Sequence, residues 1–276
     1  MRLVRAELFK IRTTAIWWIM GIILLPLYAA SLGFNWLSSY ALVNGQADGG
    51  GGPGNGQAQV DAASQPINIA TNMYTTGQYM GVLIVLLLSA IIVTSEFFHL
   101  TATTTFLVTP RREAVILAKF GAAIIVGLLV WAVLTLLNLA LVPLIMDALN
   151  ISSQLGEAAV WRSIGLNALA FLLWAVLGVG LGVLIRSQLA ATLILGIVYT
   201  IGTTAFQIIF ALLTTYVAQW IENLQVLVPT TASQLMLAGT ELPGNPPRWV
   251  GAVVLIGYAL LAGVIGTLIT RRRDIS

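Results

Sequence analysis

Six apolar runs limit this sequence more than anything else in it. They cover residues 15–37, 77–94, 114–146, 163–185, 189–213 and 249–270. Each is long enough as a helix to cross ~30 Å of hydrocarbon, or nearly so, and 114–146 exceeds it. The middle of every run lacks Asp, Glu, Lys, Arg and His. Backbone groups in lipid must be paired within the segment, so such runs fold as helices rather than open loops. Composition agrees: 58% of residues are hydrophobic and 8% charged, whereas soluble domains run at about a quarter charged. The expected fold is therefore an all-α integral membrane protein with six transmembrane helices, and residues 1–276 read as one transmembrane domain.

The polar stretches between the runs give the orientation. With both termini inside, Arg2, Arg5, Lys10, Arg12, Arg111, Arg112, Lys119, Arg186, Arg271, Arg272 and Arg273 fall on the inner face, and Arg162 and Arg248 on the outer. That lopsided split matches the positive-inside bias, and dropping one span would reverse half of it. The same bias accounts for the formal charge of +3 without a nucleic-acid partner. Residues 1–14 place Leu3, Val4, Leu8 and Ile11 on one face if helical, and read as an interfacial helix. A signal peptide is the rival reading, but the apolar run that follows is too long for its central region.

Within the first run, Pro26 predicts a kink. Residues 38–75 read as a flexible extracytoplasmic loop, because the glycine-rich stretch 45–56 cannot bury a core. A tolerated insert suits that composition better than capture of a substrate. Run three is long enough as one helix to tilt, protrude or break near Pro143. In run four, Gly178, Gly180 and Gly182 suggest close approach of a partner helix on one face. Run five carries Thr192, Thr200, Thr203, Thr204 and Gln207. Helix-to-helix hydrogen bonding is the plainer role for them; Thr200, Thr203, Thr204 and Gln207 are also the candidate lining of a translocation path. Residues 214–247 predict two short amphipathic helices outside, the first stopped by Pro229 and the second capped by Thr230 or Thr231.

Several chemistries are disfavoured by what is missing. No cysteine and a single histidine argue against a His/Cys metal site and thiolate chemistry. Neither a phosphate-binding Gly-x-x-x-x-Gly-Lys-Ser/Thr nor a His-Glu-x-x-His occurs. The empty span centres argue against a carrier driven by protons or sodium. If this chain moves a solute, the energy comes from another protein.

The stretch that would receive that energy is 95–112, Ser-Glu-Phe-Phe-His-Leu-Thr-Ala-Thr-Thr-Thr-Phe-Leu-Val-Thr-Pro-Arg-Arg, on the inner face between runs two and three. Phe98, Thr101/Ala102 and Thr105/Phe106 recur at helical spacing, and Pro110 bars continuation. With Lys119 downstream, this segment resembles that of the ABC type-2 exporter permeases, and the resemblance extends over nearly the whole chain. Leu100 stands where the family pattern usually has glycine. The resemblance implies that 96–112 is a cytoplasmic coupling helix docked on a nucleotide-binding ATPase subunit. Phe98, His99, Thr101, Thr104 and Thr105 would contact that ATPase, with Arg111 and Arg112 at the end of the interface and Glu96 anchoring the loop. It implies a second permease subunit, identical or related, and a multi-pass place in a bacterial cell membrane among its lipids. Cofactors would be absent from this chain, ATP and magnesium belonging to the ATPase. This chain would then be no enzyme itself, but the path for an amphiphilic drug, peptide or lipid. A non-transporting membrane anchor or sensor, holding a cytoplasmic partner by the same segment, is the alternative.

Overall fold

The computed structural model describes residues 2–46, 56–99, 112–185, 187–240 and 245–272. All regular elements among them are helical. They are α1 (Arg2–Thr13), α2 (Ile16–Val43), α3 (Gly56–Ala63), α4 (Pro66–Tyr74), α5 (Gln78–Phe98), α6 (Arg112–Ala148), α7 (Ala158–Leu184), α8 (Gln188–Ile197), a π-helical turn (Val198–Gly202), α9 (Thr203–Tyr216), a 3-10 helix (Gln219–Leu227), α10 (Pro229–Leu237) and α11 (Arg248–Arg272). Six units are long and apolar enough to cross a membrane: α2, α4 with α5, α6, α7, α8 through α9, and α11. The protein is thus a helical, multi-pass membrane protein, as its apolar runs predict.

α5 and α7 form the centre. Val82, Val85, Leu86 and Val93 of α5 are buried against Phe171, Trp174 and Val179 of α7. α2, α8–α9 and α11 lie at the periphery, with few of their residues buried. An apolar surface of this size is out of place in water but costs little in lipid.

Small residues make the central contact close. Gly178 and Gly182, one helical turn apart, face Leu86 and Ala90 of α5, whereas Gly180 faces Ala262 of α11. The glycines therefore serve two faces of α7 and not the single face expected. A Cβ at Gly180 would lie 2.5 Å from the Ala262 carbonyl oxygen, a backbone atom that cannot move aside. Gly180→Ala is expected to cost about 1–3 kcal/mol by forcing α7 and α11 apart. Gly165, where an added methyl would meet nothing within 4 Å, is the control on the same helix. A melting midpoint in detergent that falls for Gly165→Ala as much as for Gly180→Ala would overturn this packing.

The main departure from the sequence reading lies in 38–75. α2 runs on to Val43, and Pro66–Tyr74 is a helix, so this stretch is not a flexible loop throughout. Proline at its first position presets the helical φ and lacks only an N–H that would be unpaired there anyway. Ile69, Ala70, Met73 and Tyr74 share one face and are buried against Val142 and Met146 of α6 and Val160 and Ile164 of α7. Residues 47–55, which hold most of the glycines, lie outside the described residues. α6 is continuous through Pro143 over 37 residues, about 55 Å at the usual rise. Pro229 opens α10 instead of only closing the helix before it, and no side chain caps α10; Thr230 Oγ1 instead lies 3.1 Å from Thr203 Oγ1.

Candidate functional site

The sequence around Glu96 turns from apolar to polar at the last turn of α5, and the charge there is buried. Glu96 is 6% exposed, Glu7 of α1 6% and Lys119 of α6 3%. Lys119 Nζ donates to Glu7 Oε2 at 2.9 Å and to the Ile92 carbonyl at 3.2 Å, and it pairs with Glu96 Oε1 at 2.9 Å. Lys10 Nζ, half in solvent, donates to Glu7 Oε1 at 2.8 Å and Glu96 Oε1 at 2.7 Å. Two lysines and two glutamates thus close a ring with no net charge. Partial burial disfavours the Lys10 ammonium, but the hydrogen bonds and charges of Glu7 and Glu96 outweigh that and raise its pKa.

This ring ties three elements together at one end of the bundle. Such buried pairs contribute little net stability over apolar packing, yet losing one member strands the others without compensation. Their main effect here is geometric: α1 and the ends of α5 and α6 that flank residues 100–111 are held in one register. Just past the ring, Phe98 and His99 are exposed and their rings meet edge to face at 5.0 Å.

At the opposite end a second polar layer joins α2, the α4–α5 turn and α6. Asn138 of α6 is 1% exposed. Its Nδ2 donates to the carbonyls of Tyr74 and Thr76, each at 3.0 Å, and its Oδ1 accepts from the Tyr28 hydroxyl at 2.8 Å. The carbonyls belong to a break between α4 and α5 where Gly77 has φ +83, a backbone region open to glycine at no steric cost. Buried backbone freed from helical pairing must find a partner, and Asn138 is that partner. Eighteen residues separate Gln78 from Glu96, and nineteen separate Lys119 from Asn138. The two polar layers are therefore about 27–29 Å apart by helical rise, close to the ~30 Å of a hydrocarbon core.

Beside the break lies a cleft of about 760 Å³ between α2, α4, the start of α5 and α10. Its far wall is held by Asn68, which donates to Thr240 Oγ1 at 2.8 Å and accepts from Thr240 N at 3.0 Å. Arg162 and Arg248, the two arginines expected outside, both donate to the Gly239 carbonyl, at 2.9 and 3.0 Å. They complement the negative end of α10.

The residues singled out from sequence fall in three places. Glu96, Phe98 and His99 lie at the end of α5 as described. Thr101, Thr104, Thr105 and Arg111 lie outside the described residues, and so does the body of the expected coupling helix; Arg112 is the first residue of α6. Thr200, Thr203 and Thr204 donate to the carbonyls four residues back, Gly196, Tyr199 and Thr200. Gln207 and Thr204 are exposed on α9, and none of the four residues lines the cleft. Thr203 sits beside an aromatic cluster in which Tyr199 donates to the Tyr79 carbonyl at 2.6 Å and stacks edge to face on Trp174.

Sequence reasoning passed over Glu7, Lys10 and Asn138. Glu7 and Lys10 stand three residues apart, a spacing that signals a helix-surface pair. Asn138 is a single amide in run three, without the series of polar side chains that marks run five. No protein-family model and no curated protein matches this chain.

Proposed function

We propose that this chain is the permease subunit of an ATP-driven exporter of the ABC type-2 kind, forming with a second permease subunit the path for an amphiphilic substrate. ATP and magnesium belong to a separate nucleotide-binding subunit. The setting is a bacterial cell membrane with both termini cytoplasmic, α1 at the inner surface and α10 at the outer. The observation that carries this reading is the ion ring of Glu7, Lys10, Glu96 and Lys119. A coupling segment transmits force only if its two attachments are stiff, because domain-level switching moves rigid bodies against one another. Residues 100–111 are attached to α5 and α6 within about two turns of that ring. The exposed Phe98 and His99 offer an aromatic edge for an ATPase groove.

The test uses the chain purified together with any nucleotide-binding ATPase that co-purifies with it from its native membrane. Phe98→Asp is expected to weaken ATPase docking by about 30-fold, the size of a lost interface hot spot of roughly 2 kcal/mol, while the chain still inserts into the membrane. Normal docking and transport by Phe98→Asp would refute the assignment, as would reporter fusions that put residues 98–106 outside the cell. Docking without any ATP-dependent transport would favour the anchor reading.

A further inference from the structure

The cleft beside the α4–α5 break has a chemistry of its own. None of its lining residues carries a charge. Gln78, 8% exposed, and Ser39, 2% exposed, both line it. No hydrogen bond to either side chain is found among the described residues. Gln78 is nine-tenths buried, yet its unpaired amide is not among the fully enclosed polar groups, so it opens on the cleft, where a ligand can take up its donor and acceptor. Asn72 and Gln234 add two more side-chain amides, also without hydrogen bonds among the described residues. Around these groups the wall is apolar, with Leu27, Phe34, Ile69, Met80 and Leu237. The volume lies within the ~300–1,000 Å³ of small-molecule sites.

We infer that this cleft binds an uncharged, amide-bearing amphiphile, the chemistry of a short neutral peptide with aliphatic side chains. A side-chain amide presents a donor and an acceptor together, which is the complement of a peptide N–H and C=O. Charged ligands are disfavoured, because nothing in the wall compensates a charge removed from water. The inference rests on the cleft alone. It holds or fails in the isolated chain without an ATPase, and so separately from the exporter reading.

The probe is dansyl-leucyl-leucinamide, added to the full chain in phosphatidylcholine nanodiscs and followed by dansyl fluorescence. Saturable binding is expected, displaced by acetyl-leucyl-leucinamide. Gln78→Leu is expected to weaken it about tenfold, one neutral hydrogen bond's worth. Asn72→Leu, on an exposed position with little risk to folding, is expected to do the same. A probe with an ester replacing the central amide should bind wild type about tenfold more weakly, with a smaller difference in Gln78→Leu or Asn72→Leu. The inference is overturned if the signal matches empty nanodiscs, if folded Asn72→Leu and Gln78→Leu both bind like wild type, or if the free-acid probe binds as tightly as the amide.

Discussion

Lys119→Met is expected to destabilise the protein by about 3–5 kcal/mol, because it leaves Glu7 and Glu96 buried with only the half-exposed Lys10 between them. Methionine fills the space of the lysine stem, so the loss measures charge compensation and not a cavity. Contacts at 2.9 Å to both carboxylates vanish together, and the Ile92 carbonyl loses its extra donor. α1 is then tied to the bundle chiefly through Lys10 and its apolar face. The effect is read as a fall in the melting midpoint in detergent and as faster proteolysis within residues 2–13. Glu7→Gln with Lys119→Met should cost less than the two changes summed, since each alone strands what the other removes. That shortfall is expected at about 0.5–3 kcal/mol. Strict additivity would mean that the ring does not act as a unit.

The second large effect is expected at the other polar layer. Asn138→Leu conserves volume but removes the partner of the Tyr28 hydroxyl and of the Tyr74 and Thr76 carbonyls. At about 1–3 kcal/mol for each stranded buried group, with partial relaxation, the loss is about 3–5 kcal/mol. Tyr28→Phe leaves the two carbonyls paired and strands only Asn138 Oδ1, so at about 1–3 kcal/mol for one group it should cost less than Asn138→Leu. The ratio of the two melting shifts is the test: equal shifts would show that the α4–α5 break does not depend on Asn138.

Much of the helical framework was legible along the chain. Runs of apolar residues without charge marked six spans to within a few residues, apart from the extension of α2 to Val43 and of the second span back to Pro66 through α4. Hydropathy is a local property, and a span satisfies its own backbone, so no knowledge of neighbours was needed. α4 was not legible, because its apolar stripe of Ile69, Ala70, Met73 and Tyr74 is barely two turns long and follows a glycine-rich run. Composition over a wide window therefore outweighed it. The fifth run read as one helix, whereas its middle is a π-helical turn around Tyr199, whose hydroxyl is held by the distant Tyr79 carbonyl.

By itself the sequence determined that the chain is a membrane-embedded set of helices, roughly where each span begins and ends, and which segments carry the charge. Only the tertiary structure decided that Lys119 lies against Glu7, 112 residues away, and Lys10 against Glu96, 86 residues away. It likewise decided that Asn138 closes a break in another helix and that Gln78 faces a cleft. The physical reason is that a span's own hydrogen bonds are made along the chain, whereas compensation of a buried charge or amide depends on which helices pack together.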